Sequence, residues 1–494
     1  MASFDPHPHS LPIADHGVAD LIRHFGDGSL SAVEVTSTLL ERIGAIDAEG
    51  TDIALSSVLA VSETALTDAE ASDRARATGA CGPLCGVPLL VKDNVEVVGL
   101  PSTAGSTSLL GRPVRHDADL VTQLRAAGAV ILGTTNLSEW ANLRSTRSAS
   151  GWSAVRGLTA NPWATDRSAG GSSSGSGAAL AARLSPGAIG TETDGSITCP
   201  ASLNGVVGLK PTVGAVSTRG VIPLSASQDS PGPMARSVED LALLYAALTG
   251  DAAFATESTG NARTFSAAVA TTWRTGHAET DQRFDEVIAA LSSVLGTVTQ
   301  RDVAVPTNDV GNDELTVLLA EALDDLSAYL TARGGAPATL AEVIAFEREH
   351  AETELAYFGH ELFEQALTTG GRGGDAYRPA RARNLAWATT TCLEPALDGV
   401  DVLLAPTYGP AWKQDLHIGE HGVAAPTTCA PAIAGWPIAT VPMGLVRGLP
   451  VGLGIIGRPG SEATIVAVAR AIEATVDLGS DPTYRPSFAA PRRG

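Results

Sequence analysis

The chain has 494 residues, of which 44% are apolar and 18% charged, a balance that excludes a disordered chain and fits a soluble globular protein with a large core. Its 33 basic and 54 acidic residues leave a net charge of −21. A surface of that sign repels phosphate backbones and anionic lipid, so neither nucleic acid nor a membrane is an expected partner.

No apolar run approaches the roughly 20 residues that span a bilayer. The opening MASFDPHPHSLPIADHG lacks the basic-then-apolar pattern of a secretory leader, so a cytoplasmic protein is expected. Residues 15–48 predict two helices, with Asp15 capping the first and Ser31-Ala-Val-Glu34 forming a capping box on the second. A third helix is expected over 61–78. Cys81 and Cys85 follow in a C-x3-C pair with no second pair at zinc spacing. Together with an odd total of five cysteines, this predicts free thiols and no metal.

Gly86-Val-Pro-Leu-Leu-Val-Lys92 is a short apolar run that reads as a buried strand delivering a lysine at its end. A helix over 117–127, a strand over 129–133 and a helix from Asn136 to Asn142 continue an α/β rhythm. Residues 143–177 break it, and Asn161–Ser168 carries no strand pattern. Gly170-Gly-Ser-Ser-Ser-Gly-Ser-Gly177 has linker composition, yet a helix over 178–183 follows at once. A Gly/Ser loop feeding a helix inside an α/β rhythm points to a site. A second Gly-rich turn lies at Thr191-Glu-Thr-Asp-Gly-Ser-Ile197, and a helix covers 236–249. Residues 255–400 read as mostly helical and more charged. Strands at 401–405, 438–441 and 451–456 and a helix at 461–476 close the chain. Strands on both sides of the helical stretch predict one domain over 1–494. Its catalytic core would occupy 70–250, and an insertion at 255–400 would help to form the substrate pocket.

Three motifs compete for the chemistry. Gly171-Ser-Ser-Ser-Gly175 matches a nucleophile elbow centred on Ser173, but that motif needs a strand directly before it. His417-Ile-Gly-Glu-His421 matches an inverted zinc-protease motif, which works only on a helix. Gly419, Gly422 and Pro410 make it a loop. The third is a serine–lysine site. A serine hydroxyl needs a base, and a lysine serves as one if burial keeps it neutral. Lys92 ends an apolar run, where such burial occurs. Thr193-Asp-Gly-Ser196 can form a turn whose backbone N–H groups converge on an oxyanion, with Gly195 allowing close approach.

These segments resemble the amidase signature family. The likeness is carried by Lys92-Asp93-Asn94, Gly170–Gly177, Gly190–Ile197 with Gly205-Val-Val-Gly-Leu-Lys-Pro-Thr212, and the 24-residue interval between Ser172 and Ser196. Gly133–Trp140, Gly232–Ser237, Ala434–Pro437 and Gly448–Leu453 extend it over nearly the whole chain. The resemblance implies an α/β fold with a mixed central β-sheet covered by helices on both faces and a helical insertion. It implies Ser196 as nucleophile, Ser172 as proton relay behind a cis peptide, and Lys92 as base. Backbone N–H groups of Thr193, Asp194, Gly195 and Ser196 would form the oxyanion hole. Asn142 would contact substrate, and Ser173 would support the loop or the substrate. No cofactor or metal has a part in this scheme.

Within the family the likeness is strongest to bacterial peptide amidases, which hydrolyse C-terminal carboxamides. It is carried by Ser172–Ser176, Thr191–Ser196, Ser227-Gln-Asp229 and Leu340–Leu362. The broader family usually has Gly where Ser174 and Asp194 stand and Arg where Thr198 stands, which disfavours an aminoacyl-tRNA amidotransferase role. Ala169-Gly170 departs from the peptide amidase branch. The alternatives are an aryl-acylamide, carbamate or fatty-amide hydrolase with the same three residues, and a non-catalytic binding subunit. A monomer or homodimer is expected.

Overall fold

The computed structural model describes residues 12–476 and 478–487. Eleven strands form one sheet: β1 (Val58–Val61), β2 (Pro88–Lys92), β3 (Val130–Thr135), β4 (Gly187–Glu192), β5 (Val207–Lys210), β6 (Ser230–Ala235), β7 (Ser266–Ala270), β8 (Thr297–Arg301), β9 (Val402–Pro406), β10 (Ile438–Val446) and β11 (Leu449–Ile456). Their order across the sheet is β1-β3-β2-β4-β6-β5-β10-β11-β9-β7-β8. β2 runs parallel to both β3 and β4, and β7 parallel to both β8 and β9. The remaining pairs are antiparallel, so the sheet is mixed as expected.

The central strands are apolar at nearly every position because both of their faces are covered. β2, β3, β4 and β11 are buried throughout. Leu89, Val91, Ile131, Ile189, Leu209, Met234, Val441 and Leu453 join one continuous core. The Ser174–Ala181 helix lies against β2, β3, β4 and β6. It is built from Ser, Gly, Ala and Leu, and all eight residues are buried. Larger side chains would hold it away from the strands. A Cβ on Gly175 would sit 2.2 Å from Ser57 O and 2.6 Å from Asn136 N.

Several local expectations are corrected. The first long helix, Val18–Asp27, is capped by Gly17, whose N–H donates to Asp20 Oδ2, so Asp15 lies before the cap. The Ser31–Glu34 capping box is present. The Gly/Ser loop becomes helical at Ser174, four residues earlier than composition suggests, because tertiary packing overrides linker composition. Ala160–Asn161 and Ala164–Ser168 pair as a small hairpin outside the main sheet, so Asn161–Ser168 does carry a strand. The stretch 255–400 also supplies β7 and β8. The alanines of β7 and the half-exposed polar residues of β8 give no strand alternation. Cys81 and Cys85, expected as thiols, are joined in a disulfide.

The expected helix over 136–142 is a left-handed turn instead. Trp140, Ala141 and Asn142 have φ of 47°, 48° and 71°. Left-handed residues cost roughly 1–2 kcal/mol each. Burying an indole returns at most roughly 4–6 kcal/mol by area. The two are comparable, so hydrogen bonding decides. Trp140 N donates to Ala104 O at 2.9 Å, and its Nε1 donates to Glu347 Oε1 at 3.1 Å. Trp140 packs edge-on to Phe363 in a core shared with Leu326, Leu330, Leu340 and Ile344 of the helical stretch.

Replacing Gly175 by Ala should destabilise the protein by about 1–3 kcal/mol, as expected for overpacking. Urea titration followed by tryptophan fluorescence measures the shift.

Candidate active site

β2 and β4 end side by side, and the Gly/Ser loop crosses above them. Lys92, the last residue of β2, is fully buried. Its Nζ lies 2.8 Å from Ser172 Oγ, 2.9 Å from Thr191 Oγ1 and 3.2 Å from Thr191 O. Burial pulls its pKa down to about 7, and the Asp229 and Glu192 carboxylates oppose that shift without cancelling it. A large fraction of Lys92 is therefore a neutral amine at neutral pH. A neutral amine has a lone pair, so it can accept the Ser172 hydroxyl proton.

Ser172 is fully buried and follows the cis Gly171–Ser172 peptide. Its carbonyl accepts from Ser138 N at 3.1 Å. Ser173 is also buried, and its hydroxyl donates to Thr191 O (3.1 Å) and accepts from Thr191 N (3.2 Å). Both roles of that hydroxyl are taken by the end of β4. Ser173 thus braces the loop against the end of β4. The same residue fixes Ser196, because Ser173 N donates to Ser196 O at 3.0 Å. The structure therefore joins Lys92 to Ser172 directly and ties the Ser196 turn to the same loop through main chain.

The turn from Thr193 to Ser196 links β4 to the Thr198–Asn204 helix. Glu192 Oε2 accepts from Ile197 N and Thr198 N, both at 2.8 Å, so one buried carboxylate caps that helix. Thr193 Oγ1 donates to Asp229 Oδ1 at 2.6 Å. Gly195 has φ +76°, and a Cβ there would meet the Tyr408 hydroxyl at 2.5 Å. Conformation and space both require glycine. Among the described residues, no protein acceptor takes the N–H groups of Thr193, Asp194, Gly195 or Ser196. Such a set of unpaired donors is what an anionic oxygen needs.

Asn142 lies on the left-handed turn. Its Nδ2 is 3.4 Å from Ser150 Oγ, and its buried Oδ1 has no partner. The turn is held by a buried ionic knot. Arg144 bonds to the Glu139 carboxylate and, at 2.5 Å, to Glu354 O. Glu347 accepts from Trp140 and lies 2.6 Å from His360 Nδ1. Glu354 Oε1 accepts from Thr107 N at 2.8 Å. Burial raises the Glu139 pKa well above the carboxylate range against the pull of Arg144.

Thr191, Asn94, Glu192 and Asp229 were not singled out from the sequence as partners of the three residues. Asn94, which donates to Thr191 Oγ1 at 3.0 Å, follows Lys92 by two positions, so proximity to a strand end was an available signal. Asp229 falls within a recognised motif, but nothing local reveals that it faces Thr193. His417–His421 lies in a loop, where His421 Nδ1 contacts Gly419 O.

The amidase family profile matches residues 34–466, and the chain belongs to that family. It is thereby an amide hydrolase by class. The peptide amidase of Stenotrophomonas maltophilia is 38% identical, with a TM-score of 0.91 over 96% of this chain and 99% of that one. A glutamyl-tRNA(Gln) amidotransferase subunit of Symbiobacterium thermophilum is 35% identical over 485 residues, 92% of this chain and 96% of that protein. An amidase family protein from Bacillus anthracis is 27% identical, with a TM-score of 0.84 over 98% of this chain and 96% of that one.

Because the folded Lys92 pKa lies below the unfolded value of 10.5, the unfolded chain holds a proton that the folded chain lacks between about pH 7 and 10.5. Stability relative to a Lys92→Met variant should therefore rise with pH across that window, by up to about 1.4 kcal/mol per unit. Paired denaturant titrations at pH 7, 8 and 9 measure it; parallel curves would refute a neutral folded lysine.

Proposed function

We propose that the chain hydrolyses the C-terminal carboxamide of peptides to the free acid and ammonia, through an acyl-enzyme on Ser196. The contact between buried Lys92 and Ser172 carries this assignment. Neutral Lys92 accepts a proton from Ser172, which takes one from Ser196, and Ser196 Oγ attacks the amide carbon. The oxyanion receives the N–H groups of the Thr193–Ser196 turn, which are preorganised by Glu192, Asp229 and the close Gly195 backbone. The relay then runs in reverse and protonates the departing nitrogen. Ammonia leaves, and water repeats the cycle on the ester. Asn142 offers an unpaired amide oxygen to the substrate.

The choice of peptide carboxamides rests on similarity to the Stenotrophomonas peptide amidase over nearly the full length of both chains. It also rests on Asp194 and Thr198, which occupy positions where the wider family has Gly and Arg. An aryl-acylamide or carbamate hydrolase would use the same three residues with a different pocket.

Ser196→Ala should lower kcat by about three to six orders of magnitude, and Lys92→Ala by a comparable factor, since such residues act as a unit. Ammonia release from C-terminally amidated peptides measures it; a Ser196→Ala variant that keeps several per cent of activity defeats the assignment. The pH profile of kcat/KM should rise through about 7 as Lys92 loses its proton. Turnover of anilides or carbamates with no ammonia from any peptide amide would select the alternative chemistry. Failure of a fluorophosphonate to label the folded chain would select a non-catalytic role.

A further inference from the structure

Asp194 does more than lend an N–H to the turn. Its carboxylate, that of Glu314 on the Asn308–Arg333 helix, and Cys429 Sγ each place one atom within 4.8 Å of the other two. Gln228 is fully buried. Its Nε2 donates to Glu314 Oε1 at 3.0 Å and lies 3.5 Å from Thr193 O, so its amide head sits between Glu314 and the turn. The Thr428 hydroxyl hydrogen-bonds the Asp194 carboxylate, and the buried Asp194 Oδ1 and Gln228 Oε1 remain as acceptors without a donor. Lys210 is the cation that acts on Asp194, and its influence is smaller than that of burial or of Glu192.

We infer that Asp194, Glu314 and Gln228 form a subsite for an organic cation, the guanidinium or ammonium of a basic residue in the acyl part of the substrate. This rests on the peptide-amide reading above. Asp194 precedes Ser196 by two residues, a separation of at most about 7 Å along the chain. A long basic side chain next to the scissile amide spans that distance. N–H donors satisfy hard oxygen acceptors. The Cys429 thiol beside them is pushed up by burial and by the two carboxylates, so it adds no further negative charge to the cluster.

Burial raises both acids above the usual carboxylate range; Glu192 adds to the shift on Asp194 against a hydrogen bond from the Thr428 hydroxyl, and Asp194 adds to the shift on Glu314. Protonation of this pair competes with a bound cation, so proton loss and cation binding are linked. The groups facing the pair are Glu192 of β4, Lys210 at the end of β5, Tyr408 just after β9, and Thr428 and Cys429 of the neighbouring helix. Lys210 itself is lowered to about 8 by burial. Its loss of charge above that pH acts in the same direction, so cation binding strengthens as pH rises.

Calorimetry of the full chain with n-butylguanidinium, which stays charged from pH 5 to 9, tests this. Binding should be about tenfold or more weaker at pH 5 than at pH 8.5, and about tenfold or more weaker in Glu314→Gln at pH 8.5. Equal binding at both pH values, or in wild type and variant, overturns the inference. A second measurement compares arginine amide with its neutral isostere citrulline amide at the C-terminus of one peptide. The ratio of kcat/KM should exceed about ten in the wild type, through KM, and fall towards one in Glu314→Gln. If the variant does not fold, the wild-type pH comparison and ratio decide. A chain that binds the guanidinium with this pH profile but releases ammonia from neither peptide supports the cation subsite and refutes the peptide-amide reading. One that hydrolyses both equally does the reverse.

Discussion

The constraint on which the site depends is a primary amine enclosed by protein. A fully buried ammonium is costly, and the protein meets that cost by letting Lys92 titrate near neutrality while surrounding Nζ with oxygen. Both demands are satisfied by its place in the fold. A strand flanked by two parallel neighbours has no solvent-facing side, so its final residue emerges already desolvated. The parallel arrangement of β2 and β4 brings Lys92 and Thr191 to the same edge of the sheet, and the Gly/Ser loop needs only to cross that edge for Ser172 to fall into contact.

Small residues serve the same end. The Ser174–Ala181 helix approaches the strands closely because it has almost no side chains to intervene, and this proximity places the loop before it directly over the lysine. Gly195 plays the equivalent part on the other turn, where the Tyr408 hydroxyl occupies the space that a methyl group would need. Two backbone segments are thereby held within a few ångströms of one another by a main-chain bond from Ser173 N to Ser196 O and by the Ser173 hydroxyl on Thr191, with no long side chain involved.

Much of this was legible in the sequence. Short apolar runs marked β2, β3, β9, β10 and β11, and the serine, glycine and lysine segments marked the residues that meet; β4 was hidden behind the Gly-rich turn that follows it. What escaped had physical causes. The turn at Trp140–Asn142 has helical composition, and only contacts made some two hundred residues away, with Glu347, hold it left-handed. β7 and β8 lack alternation because one is alanine-rich and the other lies at the sheet edge with polar side chains. Glu314 sits amid other acids on a long helix, where nothing local distinguishes a buried carboxylate from a solvated one. The Cys81–Cys85 pairing ran against an expectation drawn from count and compartment, which carry no distance information.

The buried knot of Glu139, Arg144, Glu347, Glu354 and His360 makes the helical segment non-portable. Its charges come from both sides of a chain separation of 210 residues, so neither partner set is neutralised alone. Grafting the corresponding helices of another family member onto this scaffold would strand acids or a guanidinium in a dry interior unless Glu139, Trp140 and Arg144 were exchanged with them. Descent within the family should therefore have changed these distant stretches together, as one inherited unit.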